Sequence, residues 1–362
     1  MAMEQKRVFA TCNIGDAALE KLRTMGYALE VYEQEGAPPR EVLLDKVRSG
    51  VDGLVTTVRD QVDEELFRLG ATTLKVVGQY AVGYDNIDRK AANRHKIPFT
   101  NTADVLTDAT AEFAFFIMGA AARRLYPSEE LVRTLQWRSW HPWKPFLGDE
   151  VTGKCAAVVG TGRIGKAFAQ KCAGFDMDLL CFDPQKDERF VSSMQEVFDL
   201  KLARGLTRRR NTIEYVDLDE ALARADFVSL HVPLNQATRH LIGRSAFHRM
   251  RQSSYLINTS RGPVVDEAAL YEALKEGWIA GAALDVYEEE PLPDDSPLRD
   301  PTLTGRLRLF HHFGSGTRET RLSPDPDQGM AGRCVQGVID VLEGNYGRDP
   351  KRMPFVVNKE AF

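Results

Sequence analysis

The chain alternates short apolar runs with amphipathic segments of about ten residues, in two separate series. In the first series, runs such as Arg7–Thr11 and Gly53–Thr57 are separated by helix-like stretches such as Asp16–Met25. The second series begins at Cys155–Gly160 and is longer. Strands that alternate with helices of this length are typical of βαβ units, whose strands lie parallel in one sheet. The pattern therefore predicts an α/β fold with two doubly wound parallel sheets.

Composition excludes several other classes of protein. A length of 362 residues suits two domains, and 43% hydrophobic with 27% charged residues is typical of a globular chain. A net charge of -5 disfavours nucleic acid as a partner. The longest apolar run, Phe113–Ala122, is half of the roughly 20 residues that cross a bilayer, so we expect no membrane partner.

The five cysteines are scattered without CxxC spacing. They therefore predict reduced thiols and neither a disulfide framework nor a metal site. The N-terminus has no apolar signal core, and we expect a cytoplasmic protein.

Two regions fit the alternation less well. A strongly apolar helix is predicted over Ala109–Arg123, and Pro127 is expected to end that region. Between Asp183 and Leu218 the sequence predicts a helix over Phe190–Leu202, followed by a cluster of arginines. This cluster is either a phosphate-binding patch or a solvated loop. We favour the loop, because runs of charge are usually exposed.

A glycine motif carries the clearest chemical signal. Gly160, Gly162 and Gly165 follow an apolar strand and open a helix in the spacing GxGxxG. The first glycine permits a tight turn, the second lets backbone approach a pyrophosphate, and the third lets helix and strand pack closely. Asp183 ends the next strand, 23 residues beyond Gly160, where a carboxylate binds ribose hydroxyls and repels a 2′-phosphate. The motif predicts an NAD site.

Three polar residues follow later strands: Arg261 in INTSRGPVVDE, Glu290 in LDVYEEEP and His312 in LFHHFGSGT. An arginine can hold a substrate carboxylate, a histidine can exchange a proton near neutral pH, and a carboxylate can orient that histidine. Functional residues of such sheets gather at the carboxyl ends of strands. The set therefore suits hydride transfer to a 2-oxo acid. Glu288 and Glu289 are alternatives to Glu290.

At this point the sequence resembles the D-isomer-specific 2-hydroxyacid dehydrogenases over nearly its whole length. ADFVSLHVPL, LINTSRGPVVDEAAL, GAALDVYEEEPLP and HHFGSGTRETR look like the family's motifs in the family's order. Two further segments, GQYAVGYDNIDRKAANRHKIPFTNTADVLTDATAEFAF and QWRSWHPWKPFLG, look most like the glyoxylate and hydroxypyruvate reductase branch. The resemblance implies that Arg261 binds substrate, His312 is the acid/base and Glu290 supports it.

The resemblance also implies an architecture. It implies two Rossmann-like domains with a cleft between them: a discontinuous substrate-binding domain from residues 1–103 and 311–362, and an NAD domain from 104–310. Val82 and Gly83 would contact the substrate carboxylate. Trp140 would reach the neighbouring subunit's site in a homodimer formed through Ala109–Trp143, although a structural tryptophan is an alternative. The cofactor cleft would also use Arg163, Ile164, Val232, Pro233, Thr238, Thr259, Ser260 and Asp285.

The predicted activity is therefore NAD(H)-dependent interconversion of a small 2-oxo acid and its D-2-hydroxy acid, with glyoxylate or hydroxypyruvate favoured. D-lactate or phosphoglycerate dehydrogenase is an alternative, and an NAD-sensing corepressor-like binding protein is an alternative of another class. One departure concerns His311, which stands where the family usually has proline. A second imidazole beside His312 could compete with it.

Overall fold

The computed structural model describes residues 5–362 as two parallel-sheet units. The strands of this part of the chain are, in order, β1 Arg7–Ala10, β2 Ala28–Val31, β3 Gly53–Thr56, β4 Val76–Gln79, β5 Phe99–Thr100, β6 Cys155–Val159, β7 Asp178–Phe182, β8 Ile213–Tyr215, β9 Phe227–Leu230, β10 Tyr255–Asn258, β11 Gly281–Leu284 and β12 Leu307–Leu309. The helices are α1 Asp16–Thr24, α2 Arg40–Arg48, α3 Glu64–Gly70, α4 Arg89–His95, α5 Thr107–Ala122, α6 Leu125–Arg133, α7 Arg163–Gly174, α8 Glu188–Ala203, α9 Leu218–Arg224, α10 Arg244–Arg249, α11 Glu267–Glu276, α12 Arg318–Leu322 and α13 Met330–Glu343.

Local sequence determines where several of the helices begin. Five helices (α3, α4, α8, α9 and α11) follow an aspartate whose side chain accepts the N–H of the residue three positions later. Asp187, for example, accepts from Phe190 at 3.0 Å, and Asp266 accepts from Ala269 at 3.0 Å. Each such cap is worth about 1 kcal/mol, because it satisfies an amide that has no partner inside the helix.

The first unit comprises the described residues up to Leu106 together with Ser315–Phe362. Its five strands lie parallel in the order β2-β1-β3-β4-β5. The C-terminal helix α13 covers one face of this sheet, where Val338 packs against two glycines that leave room for it. A Cβ on Gly78 would lie 2.6 Å from a Val338 methyl, and one on Gly53 would lie 3.2 Å from the other. The end of the chain therefore completes the core of its beginning.

The second unit is Thr107–Gly314, with seven parallel strands in the order β12-β11-β10-β9-β6-β7-β8. The order reverses beside β6, which pairs with β7 on one side and β9 on the other. Alternate residues of β6 enter separate cores on the two faces, Ala157 and Val159 on one and Ala156 and Val158 on the other. A strand buried on both faces reads as an uninterrupted apolar run.

The predicted fold class is confirmed: both units are doubly wound parallel sheets. The unit boundaries fall a few residues beyond those expected, so His312 belongs to the second unit together with Glu290.

The prediction that Pro127 ends the α5 region was wrong, because Pro127 lies inside α6. As the third residue of that helix it needs no N–H, since the first four amides of a helix have no intrahelical partner. Two short elements were not predicted at all, α12 and the edge strand β8.

The arginine-rich stretch after α8 is not a patch of converging cations. Arg209 donates to the Gly153 carbonyl and to the Asp178 carboxylate, while Arg204, Arg208 and Arg210 are exposed. It is the solvated loop that the sequence favoured.

Candidate active site

The carboxyl edge of the seven-stranded sheet collects the polar residues that the sequence singled out. Arg261 follows β10, Glu290 follows β11 and His312 follows β12, and these three strands are parallel neighbours. Carboxyl ends of parallel strands meet at one edge, so the three segments leave the sheet on the same side.

His312 and Glu290 are in direct contact. Nδ1 of His312 lies 2.7 Å from Oε2 of Glu290, and the other carboxylate oxygen accepts the Tyr287 N–H at 3.1 Å. An ionised carboxylate only accepts, so Nδ1 carries the proton of this hydrogen bond and Nε2 is the ring nitrogen able to exchange one. The neighbouring ring of His311 is exposed and stacks on Phe313 at a centroid distance of 5.1 Å.

Asp285 holds the turn that carries His312. It is 1% exposed, its Oδ1 accepts the Phe313 N–H at 2.6 Å and its Oδ2 accepts the Gly314 N–H at 2.7 Å. Its own carbonyl accepts the His312 N–H at 2.9 Å, and His312 has a left-handed φ of 57°. Burial raises the pKa of the Asp285 carboxyl above its ordinary value, against the opposing effect of these two N–H donors. Sequence reasoning assigned Asp285 to the cofactor cleft and missed this contact.

Arg261 stands on a short segment fixed at both ends. The buried side chain of Asn258 donates to the Arg261 carbonyl at 2.9 Å and accepts the Ser260 N–H at 3.0 Å. Gly262 lies directly on the chain after β11, where an added Cβ would come within 1.8 Å of the Tyr287 carbonyl. The Arg261 and Glu290 segments are thus packed backbone against backbone. Asn258 was missed, although a polar residue at the end of a buried strand is a usable signal.

The glycine turn after β6 has the geometry that its spacing predicts. Gly160 has a φ of 96°, and an added Cβ would lie 2.8 Å from the His231 backbone. At Gly165 a Cβ would lie 1.9 Å from the Gly160 carbonyl oxygen, so helix α7 packs closely on the turn. At Gly162 a Cβ would meet nothing within 4 Å, and this residue gives α7 no side-chain cap. Open space before uncapped helix amides suits a pyrophosphate.

Asp183 lies just after β7 and next to this turn. Its Oδ2 accepts the Thr161 N–H at 2.8 Å and its Oδ1 accepts the Gln185 N–H at 2.8 Å. Each carboxylate oxygen has a second lone pair, so the side chain retains capacity for two ribose hydroxyls.

The remaining cleft residues follow β9 and β10. Val232 is buried, and the Thr238 hydroxyl donates to the Pro233 carbonyl at 2.6 Å. The Thr259 hydroxyl oxygen is buried and has no hydrogen-bond partner among residues 5–362. Thr259 follows β10, at the sheet edge that also carries the glycine turn. A buried hydroxyl without a partner is a polar group to which a bound ligand could hydrogen-bond. Together with the turn and Asp183, it makes this edge a good fit for NAD.

The remaining predicted site residues lie in other parts of the chain. Val82 and Gly83 belong to the first unit, where Asn101 donates to the Val82 carbonyl at 2.9 Å and Gln79 donates to the Gly83 carbonyl at 3.3 Å. Trp140 follows α6 and is 79% exposed, so within a single chain it is not a core tryptophan. Arg163 and Ile164 begin α7.

Metal ligands, membrane spans and reactive thiols are the other features that bear on function. No cluster of His, Cys, Asp or Glu suited to a metal occurs within the described range. No helix of residues 5–362 is long and apolar enough to span a membrane. All five cysteines are free thiols, and burial raises the pKa of Cys155 and of Cys181 to about 12.

Known proteins match this chain over most of its length. Residues 115–304 match the family D-isomer specific 2-hydroxyacid dehydrogenase, NAD binding domain. The glyoxylate reductase of Korarchaeum cryptofilum is 43% identical over 87% of this chain and 88% of its own length. That of Thermococcus litoralis is 40% identical over 98% and 97%. A crystal structure of a Thermus thermophilus protein has a TM-score of 0.81 at 33% identity, covering 97% of this chain and 99% of that one.

The matched family identifies the cofactor as well as the fold. The profile is that of an NAD-binding domain, and its range contains the glycine turn and Asp183. The chain belongs to the D-isomer specific 2-hydroxyacid dehydrogenases and is an NAD-dependent enzyme of that family.

Proposed function

We propose that this chain reduces glyoxylate or hydroxypyruvate with NADH, giving the corresponding 2-hydroxy acid. The observation that carries the proposal is the 2.7 Å contact between His312 and Glu290, on a segment packed against that of Arg261. The relatives' names, glyoxylate reductase, support the choice of substrate.

Each side chain has one task in the proposed reaction. Arg261 binds the substrate carboxylate and, with its delocalised charge, stabilises negative charge developing on the 2-oxo oxygen. NADH, when bound, would supply the hydride to C2. His312 gives the proton on Nε2 to the same oxygen, so the carbonyl becomes a hydroxyl and the ring becomes neutral. Glu290 holds the Nδ1 proton throughout, orients the ring and stabilises its positive charge before transfer.

We assign NAD binding to the second unit, and substrate binding to Arg261 of that unit together with Val82 and Gly83 of the first. Gly160, Gly162, Gly165, Arg163 and Ile164 would hold the pyrophosphate, and Asp183 the ribose. The cleft would be completed by Val232, Pro233, Thr238, Thr259, Ser260 and Asp285. Val82 and Gly83 would offer backbone amides to the substrate carboxylate. Because Asp183 would repel a 2′-phosphate, NAD(H) should be preferred over NADP(H).

We also propose a cytoplasmic homodimer. Its support is a run of exposed large apolar side chains on α6 and the chain after it, including Leu135, Trp137, Trp140, Trp143 and Leu147. Apolar groups concentrated in this way mark association surfaces. Sedimentation equilibrium tests the dimer, and a monomer at micromolar concentration would contradict it.

The central test is Arg261→Ala in purified protein with NADH and a panel of 2-oxo acids. Reduction should be lost while NADH still binds, because the arginine acts on substrate and the glycine turn acts on cofactor. Substantial activity in this variant would refute the assigned role. Absence of NADH oxidation by the wild-type protein with every 2-oxo acid would refute the reaction.

A further inference from the structure

A second histidine–glutamate pair lies beside the proposed catalytic pair. Nε2 of His240 is 3.0 Å from Oε1 of Glu288, and Glu288 precedes Glu290 by two residues. The two partners of this second pair are 48 positions apart in the sequence, and neither belongs to the pair formed by His312 and Glu290. Both side chains are partly exposed, at 42% and 36%.

The segment that carries Arg261 runs between the backbones of these two residues. On one side, the His240 N–H donates to the Pro263 carbonyl at 2.8 Å and the Ile242 N–H donates to the Val264 carbonyl at 3.1 Å. On the other side, Gly262 packs so closely on the backbone of Tyr287 and Glu288 that no Cβ would fit. The His240–Glu288 contact therefore links the two backbone segments that flank Gly262–Val264, the residues that follow Arg261.

The Glu288 carboxylate is fixed from a third direction. The same oxygen, Oε1, lies 3.3 Å from the Glu267 N–H at the start of α11, and the Glu288 N–H donates back to the Glu267 carboxylate at 2.7 Å. A carboxylate at a helix N-terminus is favoured by the unpartnered amides there. Glu288 is thus held in place before it meets His240.

The backbone conformation of His240 also depends on these contacts. Its φ is 51°, in the left-handed region that a residue with a Cβ adopts only at a cost. Such a conformation persists where surrounding contacts determine it. Here those contacts are the bond to Pro263 and the pair with Glu288.

We propose that His240 and Glu288 form a hydrogen-bonded strap across the Arg261 segment and act as positioning residues for binding of the 2-oxo acid. The proposal rests on the substrate-binding role proposed for Arg261. The strap touches neither substrate nor cofactor. The strap restricts the Arg261 segment directly, whereas it reaches Glu290 only through two residues of chain. We therefore expect a larger effect on substrate affinity than on the rate of proton transfer.

A double-mutant cycle tests the strap: His240→Ala, Glu288→Ala and the double variant, each assayed for KM of glyoxylate, kcat and NADH affinity. A contact of this kind between partly exposed side chains contributes up to about 1 kcal/mol, which is roughly a fivefold effect. Each single change should raise KM about three- to fivefold, with kcat and the Kd of NADH changed less than about twofold. The double variant should be no worse than either single one.

Two further variants separate positioning from a general structural effect. His240→Gln keeps a hydrogen-bond donor and should recover part of the lost affinity. His95→Ala removes a comparable pair, His95 with Glu64 at 2.8 Å in the first unit, and should leave KM unchanged. If His240→Ala does not fold, His240→Leu, whose side chain has no hydrogen-bonding group, takes its place in the cycle.

The strap would be overturned if the KM increase in the double variant equalled the product of the increases in the two single variants. It would also be overturned if the variants lost kcat with KM unchanged. These results are distinct from failure of the proposed function. If Arg261→Ala abolishes reduction while the cycle is multiplicative, only the strap is wrong. If Arg261→Ala remains active, the role on which the strap depends is wrong.

Discussion

The imidazole of His312 hydrogen-bonds to Glu290 through Nδ1, and its backbone hydrogen-bonds to Asp285, whose carboxylate in turn binds the next two amides. Ring orientation and backbone conformation are therefore set by two different acidic residues. Both follow β11 in the chain, so one strand end positions the histidine that follows its neighbour β12.

The first prediction concerns the two adjacent histidines. His312→Asn should lower kcat for glyoxylate reduction by roughly 10²- to 10⁴-fold, because it removes the proton donor. NADH binding, followed by fluorescence titration, should be unchanged. His311→Asn is the matched control and should retain kcat within about twofold, since that ring stacks on Phe313. The reverse ranking of the two variants would show that the wrong imidazole has been assigned.

The second prediction concerns Asp285. Asp285→Asn keeps the shape but turns one of two acceptors into a donor that faces an N–H. The turn at Phe313 and Gly314 should loosen, at a cost of about 2–3 kcal/mol in the free energy of unfolding. Because His312 stands on this turn, kcat should fall as well. Urea unfolding and steady-state kinetics measure the two effects, and an unchanged stability would contradict the role given to the carboxylate.

The third prediction contrasts two glycines of one motif. Gly162→Ala places a methyl group in open space, so the fold should be retained while the Kd of NADH rises about tenfold or more, which is about 1.4 kcal/mol. Gly165→Ala places the methyl 1.9 Å from the Gly160 carbonyl and should also cost about 1–3 kcal/mol of stability. Thermal unfolding with and without NADH separates the cases. Equal stability losses in both variants would refute the distinction.

The fourth prediction is a pH dependence of stability. The ring of His231 packs on Phe168, its Nδ1 is buried without a partner in the described chain, and burial lowers the pKa of His231 to about 3. The unfolded chain takes up a proton near pH 6.5 and the folded chain does not, so stability from this group is lost as pH falls from about 6.5 towards 3.

Between pH 7 and pH 4 this loss should be roughly 2–3 kcal/mol. His231→Asn should lose less stability over the same interval in urea unfolding. His248→Asn, at an exposed histidine of the same unit, should behave like the wild-type protein. Identical acid sensitivity of all three proteins would exclude His231 as the source.

Local sequence was enough to predict some parts of this molecule. The spacing of Gly160, Gly162 and Gly165 after an apolar strand predicts the turn, because Gly160 and Gly165 are required by contacts with the adjacent strand end and within the turn, while Gly162 leaves the space before α7 open. Helix α6 was missed, since Pro127 resembles a helix terminator unless its position in the first turn is known. Strand β8 has three residues in a charged context, and it becomes a strand only by pairing with β7.

The contacts that define the site are less accessible to sequence reasoning. Asp285 binds amides 28 and 29 residues away, and His240 meets Glu288 across 48 residues. Residue type and position after a strand suggested Arg261, Glu290 and His312, and the family resemblance suggested their roles. Which of three consecutive glutamates meets which histidine depends on the path of the chain after β11.

Helix α13 has a consequence for synthesis of the protein. The sheet of the first unit is made early, yet the face that contains Gly53 and Gly78 is covered by Val338 near the end of the chain. The second unit is one continuous stretch and needs no later residue. On the ribosome, the middle of the chain can therefore finish folding while its beginning still presents an uncovered apolar surface. Aggregation during translation should depend on that interval.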